Sequence, residues 1–253
     1  MLEFLTPPDI VLNASLLLIF VSAITSFLTA AAGIGGGIAL LSIMAIFVPA
    51  AVIIPLHGAV QIGSNFGRTA LMLPHVDRSI MAPFIFGTIL GAALGGVTAV
   101  QLPPGVLKIG LACFILWSVW GRAMGAPGRL ATIGTGVVSS FLTMFFGATG
   151  TFVSAMIKTR KLGRMEHVAT HSACMVAQHA IKVMVFGLLG FSFAPYLGLI
   201  VAMVTSGFIG TVIGKSFLLK TSDNRFHRVL SFVLTLLSIR LLYEGWVLLG
   251  SLN

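Results

Sequence analysis

The stretch SFLTAAAGIGGG, Ser26 to Gly37, returns as SFLTMFFGATGT, Ser140 to Thr151, at an offset of 114 residues. The same offset carries Gly33 onto Gly147, His57 onto His171, Ala59 onto Ala173 and Arg68 onto Lys182, with no gap. A four-letter match is weak in so apolar a chain. A single register that also carries a glycine, a His-x-Ala and a cation points to duplication. Polar side chains are costly inside apolar helices, and duplicated membrane proteins place their site where the copies meet.

Composition identifies the solvent. Hydrophobic residues make up 57% of the chain and charged residues 8%, with a mean hydropathy of +1.08; a soluble domain carries about 25% charged residues. At about 20 apolar residues per spanning helix, the 253 residues are almost all needed inside the bilayer. No soluble catalytic domain fits, so the expected class is an all-α polytopic membrane protein and not an enzyme. The net charge of +9 is accounted for by basic cytoplasmic turns, and no nucleic-acid partner is inferred from it. Cys113 and Cys174 lie in apolar segments without a close-spaced motif, so neither a disulfide framework nor a cysteine metal site is indicated. Glu3 and Asp9, with no Lys or Arg before a long apolar run, suggest a retained first helix rather than a cleaved signal peptide.

Apolar runs between charges and Pro/Gly breaks give five segments per half. In a first repeat, 1–125, they cover about 10–32, a short 34–48, 50–73, 80–101 and 105–120. In a second repeat, 126–253, they cover about 130–147, a short 149–157, 166–190, 194–218 and 226–250. Charges in the connections set the orientation. Lys158, Arg160, Lys161 and Arg164 follow the second short segment, whereas the equivalent turn, Phe47 to Ala51, has no charge. His75, Asp77 and Arg78 occupy a turn whose counterpart, Phe191 to Pro195, is uncharged, and the basic stretch Lys215 to Arg228 answers a turn with only Lys108. Arg122 and Arg129 join the halves. With the basic turns in the cytoplasm, both termini lie outside and the second copy is inverted relative to the first.

The third segment of each half carries the polar residues. His57, Gln61, Asn65 and Arg68 follow at steps of four, four and three, which keeps them on one helix face, returning within about 20° over roughly 16 Å. The matching segment holds His171, Ser172, Gln178, His179 and Lys182, with His179 at the position of Asn65. A cation near mid-membrane costs about 2.5–3.5 kcal/mol on insertion scales and needs a partner or a wet cavity. Neither segment has an interior carboxylate, so the expected partner of Arg68 and Lys182 is an anion that comes and goes. The competing explanation is snorkelling, with Arg68 about five residues from its helix end. Arg240 has Glu244 four residues on, an ordinary ion pair. His57 and His171 titrate near neutrality as free residues and are candidates for proton coupling, with buried neutral hydrogen bonding as the alternative.

Gly33-Ile-Gly-Gly-Gly37 and Gly147-Ala-Thr-Gly-Thr151 each break a helix ahead of a short one. Glycine lets the backbone approach a ligand, and the next helix starts with free N–H groups and its positive dipole end. Gly35, Gly36, Gly37, Thr149, Gly150 and Thr151 therefore join His57, Gln61, Asn65, Arg68, His171, Gln178, His179 and Lys182 as expected anion-binding residues. The alternative is a tight hairpin whose glycines serve only packing. No strand and no Lys-Ser/Thr flanks the first cluster, so a nucleotide loop is rejected. Gly87, Gly91 and Gly95, and Gly210 and Gly214, read as helix packing. His167, His171, Cys174 and His179 could supply metal ligands, but the order is not His-Glu-x-x-His and the first copy has Ile53 and Val60 where the second has His167 and Cys174. No metal and no cofactor is expected.

A first helix running into Gly33 to Gly37, a Pro-containing turn, the Ala59 to Arg68 helix, a Val76-Asp77 turn and a Gly-rich next helix resemble the TauE/SafE sulfite exporter family over nearly the whole chain. The resemblance implies a bacterial inner-membrane carrier of sulfite, sulfonates or related small sulfur-containing or carboxylate anions, often in export, which makes the outer side periplasmic. The expected partners are that anion, protons as a coupling ion and the lipid bilayer, with room for a homodimer. Two features depart from the family pattern. Gly147-Ala-Thr-Gly150 has one glycine fewer than the first cluster, and His57 stands where a small residue is expected.

Overall fold

The computed structural model describes residues 5–32, 35–99, 103–121, 125–217 and 224–250. Gly33 of the first glycine break, Arg122 of the linker and residues 218–223 of the last basic stretch lie outside the described residues. Among the described residues there are ten α-helices and no strands. In the first half they are α1 (Leu12–Ala32), α2 (Gly36–Phe47), α3 (Ala50–Leu71), α4 (Arg78–Ala99) and α5 (Pro104–Trp120). In the second they are α6 (Arg129–Phe146), α7 (Gly150–Lys158), α8 (Arg164–Leu188), α9 (Leu197–Lys215) and α10 (Asn224–Gly250). The segments read from hydropathy are all present, with ends displaced by a few residues.

Five helices, α1, α4, α6, α9 and α10, contain stretches long and apolar enough to cross a membrane, and α2 and α5 are shorter apolar helices. The chain is therefore a polytopic helical membrane protein. α3 and α8 have 22 and 25 residues, enough length to cross, but their polar faces keep them out of the apolar set. Large apolar side chains such as Phe20, Phe66, Leu94, Leu188 and Trp246 are exposed, an outer surface suited to lipid rather than water.

Glycines set the tightest helix contacts. Gly87 and Gly91 of α4 lie against the Ile133 and Val137 carbonyls of α6, and Gly95 against that of Phe141. Residue numbers rise together along both helices, so α4 and α6 run parallel. Gly210 and Gly214 of α9 lie in the same way against the Ala23 and Phe27 carbonyls of α1. Ala23 and Phe27 are the offset-114 counterparts of Val137 and Phe141. A Cβ at these glycines would strike backbone, which is why the sequence repeats glycine every four residues there.

The central pair is α3 and α8. His57 meets His179, Gly58 meets Lys182, and Arg68 meets Ser172, so these two helices run antiparallel. α5 pairs with α10, where Glu244 completes the expected pair with Arg240 at 2.9 Å and also accepts a hydrogen bond from Lys108 at 2.6 Å. That second contact ties the two halves together and has no signature in the sequence. The turns around Asp77 and Arg160 also meet: Arg160 Nη2 lies 3.5 Å from Asp77 Oδ2 and donates to Ser79 Oγ at 2.6 Å. The Asp77 N–H donates to Thr170 Oγ1 of α8 at 2.9 Å.

Candidate anion site between the central helices

Both glycine breaks include a glycine with left-handed backbone. Gly35, which precedes α2, has φ 104°, and Gly147, which ends α6, has φ 72°, the left-handed region that glycine enters without penalty. Each break leads into a half-helix, α2 or α7, that starts beside the polar faces of α3 and α8. Between them lies a cavity of about 40 Å³ lined by Gly35, Gly37, His57, Gln61 and Asn65 from the first half and by Gly150, Thr151, His171, Met175 and His179 from the second. Thr29 of α1 and Ala148 complete much of its wall. It holds roughly three water-sized groups, the scale of a small oxyanion. The polar side chains around it are buried, with His57 at 0% exposure and Gln61, the most exposed of the polar set from α3 and α8, at 8%.

The histidines tie the half-helices to the central helices. His57 Nε2 donates to the Gly37 carbonyl at 2.9 Å, and His171 Nε2 donates to the Gly150 carbonyl at 3.0 Å. A carbonyl oxygen only accepts, so Nε2 carries the hydrogen in both rings. Their Nδ1 atoms are buried and unpartnered, as are His179 Nδ1 and the Thr151 hydroxyl. Buried polar atoms are normally bonded, and these four stand around one cavity.

The two cations stand one layer behind the cavity wall. Arg68 is 1% exposed and donates from Nη1 to Asn65 Oδ1 at 3.0 Å and, more weakly, to Ser172 Oγ at 3.4 Å, while Nη2 reaches Ser64 Oγ at 3.4 Å. It does not snorkel. Asn65 Nδ2 in turn donates to Gln61 Oε1 at 2.9 Å, so a chain of bonds links the guanidinium to the wall. Lys182 is fully buried and donates to the Gly147 carbonyl at 3.1 Å, its stem lying over Gly58. Ser172 is the offset-114 counterpart of Gly58, so each cation crosses to the same place on the opposite helix. The described carboxylates are all engaged elsewhere: Asp9 with Tyr196, Asp77 with Ser79 and Arg160, Glu166 with the Gly163 N–H, and Glu244 with Lys108 and Arg240. The site is thus positive, with two half-helix N-termini adding to the cations.

Not every residue selected from the sequence reaches the cavity. Gln178 turns away to α6, donating to Ser139 Oγ and Ser140 Oγ at 3.0 Å each. The Thr149 hydroxyl donates to the Ser139 carbonyl at 2.9 Å. Gly36 packs against the Thr25 carbonyl and Thr29 Oγ1 of α1. Arg68 and Lys182 act from behind the wall, as described. Thr29 and Met175 were missed, although Thr29 belongs to the repeated SFLT and the 114 offset places Met175 at the counterpart of Gln61. The alternative metal constellation does not converge: His167 Nε2 pairs with Ser154 Oγ at 2.9 Å and Cys174 Sγ lies 4.0 Å from Met81 Sδ. Among the described residues no group of three or more His, Cys, Asp or Glu side chains is placed to hold a metal ion.

The helices thus enclose a small cavity lined by no described carboxylate. The family model for the sulfite exporter TauE/SafE matches residues 18–241, and the chain belongs to that family. Searches among curated proteins and among solved structures returned no significant match. Family membership makes this a membrane transport protein.

Proposed function

We propose that the protein is a secondary transporter that carries a small anion, sulfite, an organosulfonate or a related sulfur or carboxylate anion, across the bacterial inner membrane. The observation that carries this reading is the cavity where the starts of α2 and α7 meet the polar faces of α3 and α8, with Arg68 and Lys182 behind it and no described carboxylate to neutralise them. Half-helix N–H groups bind an oxyanion without a dedicated side chain, and the buried cations supply charge that bulk water does not screen.

The same features support two inverted copies of five segments. The repeat-equivalent helices α3 and α8 are antiparallel, and the α4–α6 contact is matched by the α9–α1 contact at equivalent residues. Transport then consists of one copy rocking against the other around the cavity. The meeting of the Asp77 and Arg160 turns supports placing both basic turns on one side. With that side cytoplasmic, the termini are periplasmic. A passive channel would use the same residues, but the burial of His57, Asn65, His171 and His179 favours an occluded carrier over an open pore.

The test is flux in proteoliposomes for a panel of sulfite, sulfonates and carboxylates, with and without a pH gradient. Concentrative uptake is expected for at least one anion, falling by about 10-fold or more in Arg68→Ala/Lys182→Ala, because removing a charge from a low-dielectric site is worth at least 1.4 kcal/mol. Equal flux in this variant and the wild type for every transported anion sinks the proposed site.

A further inference from the structure

Three imidazoles line the cavity, and they are bonded differently. His57 and His171 each use Nε2–H to hold a half-helix carbonyl. His179 is 3% exposed, and its ring makes no hydrogen bond to a described residue; Nδ1 is buried without a partner. Its one ring contact is edge-on with His57, the centroids 5.9 Å apart. The equivalent position in the other copy holds Asn65, whose amide donates to the Gln61 carbonyl and Oε1 and whose oxygen accepts from Arg68. One copy has this position locked and the other leaves it open. An unbonded buried imidazole is unfavourable, and such a group persists where its partner comes from outside the chain.

The charged and titratable groups facing His179 are all basic. On its own helix they are Lys182, three residues on, and His171; from α3 it is His57. The described parts of α1 and α2 contribute no titratable side chain, and Lys158 stands at the far end of α7. A proton on His179 with no anion in the cavity therefore meets Lys182, two further imidazoles and the positive ends of two half-helices, with no described carboxylate beside it. An oxyanion in the cavity reverses that balance, because the ring N–H then donates a charge-assisted hydrogen bond to it.

We propose that His179 takes up one proton with each anion that enters the cavity and gives it up when the anion leaves. The inference rests on the anion-carrier reading. The proton passes from water on the loading side to a ring nitrogen, stays there as the N–H that holds the anion, and returns to water on the other side. No bond to the anion is made or broken. Linkage is reciprocal, so a proton gradient drives the anion and an anion gradient drives protons. His57 and His171, with Nε2 committed to the glycine carbonyls, position the half-helices.

The purified protein is titrated in weak buffer with ethanesulfonate, which stays fully ionised, and separately with sulfite, while a pH indicator follows proton uptake. Wild type is expected to take up about one more proton per bound anion near pH 7 than His179→Asn, whichever of the two anions binds. Asparagine is the residue already present at the equivalent position 65, and His179→Gln serves as the second variant. Proton uptake per anion in the two variants equal to that of wild type overturns the role of His179 and leaves the carrier reading standing. If wild type binds neither anion, the carrier reading fails and this inference fails with it.

Discussion

Replacing His57 or His171 by alanine removes the bond between a half-helix start and a central helix and leaves a void beside the cavity. Each substitution is expected to lower stability by about 1–3 kcal/mol, measured as a lower Tm in detergent. A large drop for one and none for the other would contradict their matching roles. The sequence showed these imidazoles as a pair and suggested proton coupling for both. It could not show which ring nitrogen is used, because that depends on the Gly37 and Gly150 carbonyls, 20 and 21 residues away in the chain. Gln178 makes the same point. Its spacing fits the polar stripe, but the hydroxyls of Ser139 and Ser140 draw it to α6.

Among the elements, α4 and α6 approach through glycines at which a Cβ would strike the opposite backbone. Gly91→Leu and Gly210→Leu are each expected to destabilise the protein by about 1–3 kcal/mol or more through overpacking, read as reduced Tm and loss of monodisperse protein; unchanged behaviour in both would mean that the close approach is not needed. The turns between helices carry a pH-dependent contact. Partial burial pushes the Asp77 carboxyl up, but hydrogen bonds from the Ser79 hydroxyl and N–H and from Arg160 outweigh it and hold the group below its usual value. A depressed folded-state pKa stabilises the protein above the unfolded value, about 3.9 for Asp, and that contribution disappears as pH falls through the folded value. The Tm difference between wild type and Asp77→Asn is thus expected to be small but present at neutral pH and to vanish in acid; a difference that grows on acidification would refute the contact's role. The break positions were legible because glycine clusters have few other uses in a helix. The Lys108–Glu244 contact was not, since the sequence already supplied Glu244 with a nearer partner in Arg240.

For the whole molecule the orientation makes a direct prediction. In a cysteine-free background, Pro49→Cys and Thr159→Cys are expected to react with an impermeant thiol reagent from opposite sides of the membrane, and Asp77→Cys from the same side as Thr159→Cys. Labelling of the Pro49 and Thr159 positions from one side would remove the inverted arrangement. The antiparallel packing of α3 and α8 also explains why Arg68 and Lys182 are so deeply buried: each cation crosses to the opposite helix.

The sequence by itself determined the solvent, the helical class, the places where helices break and the two helices that carry polar faces. These are properties of composition and of short-range periodicity, which a linear pattern records directly. The repeat at Ser26 and Ser140 located the shared positions. Only the tertiary structure decided which polar groups face the cavity and which stand behind it, because that depends on how side chains satisfy one another across helices far apart in the chain. The chain buries the Asn65 amide with its bonds made and the His179 Nδ1 without one, although the 114 offset equates the two positions. What separates them is the set of neighbours each meets once the copies are packed: Arg68 and Gln61 complete Asn65, and no described side chain or backbone group completes His179.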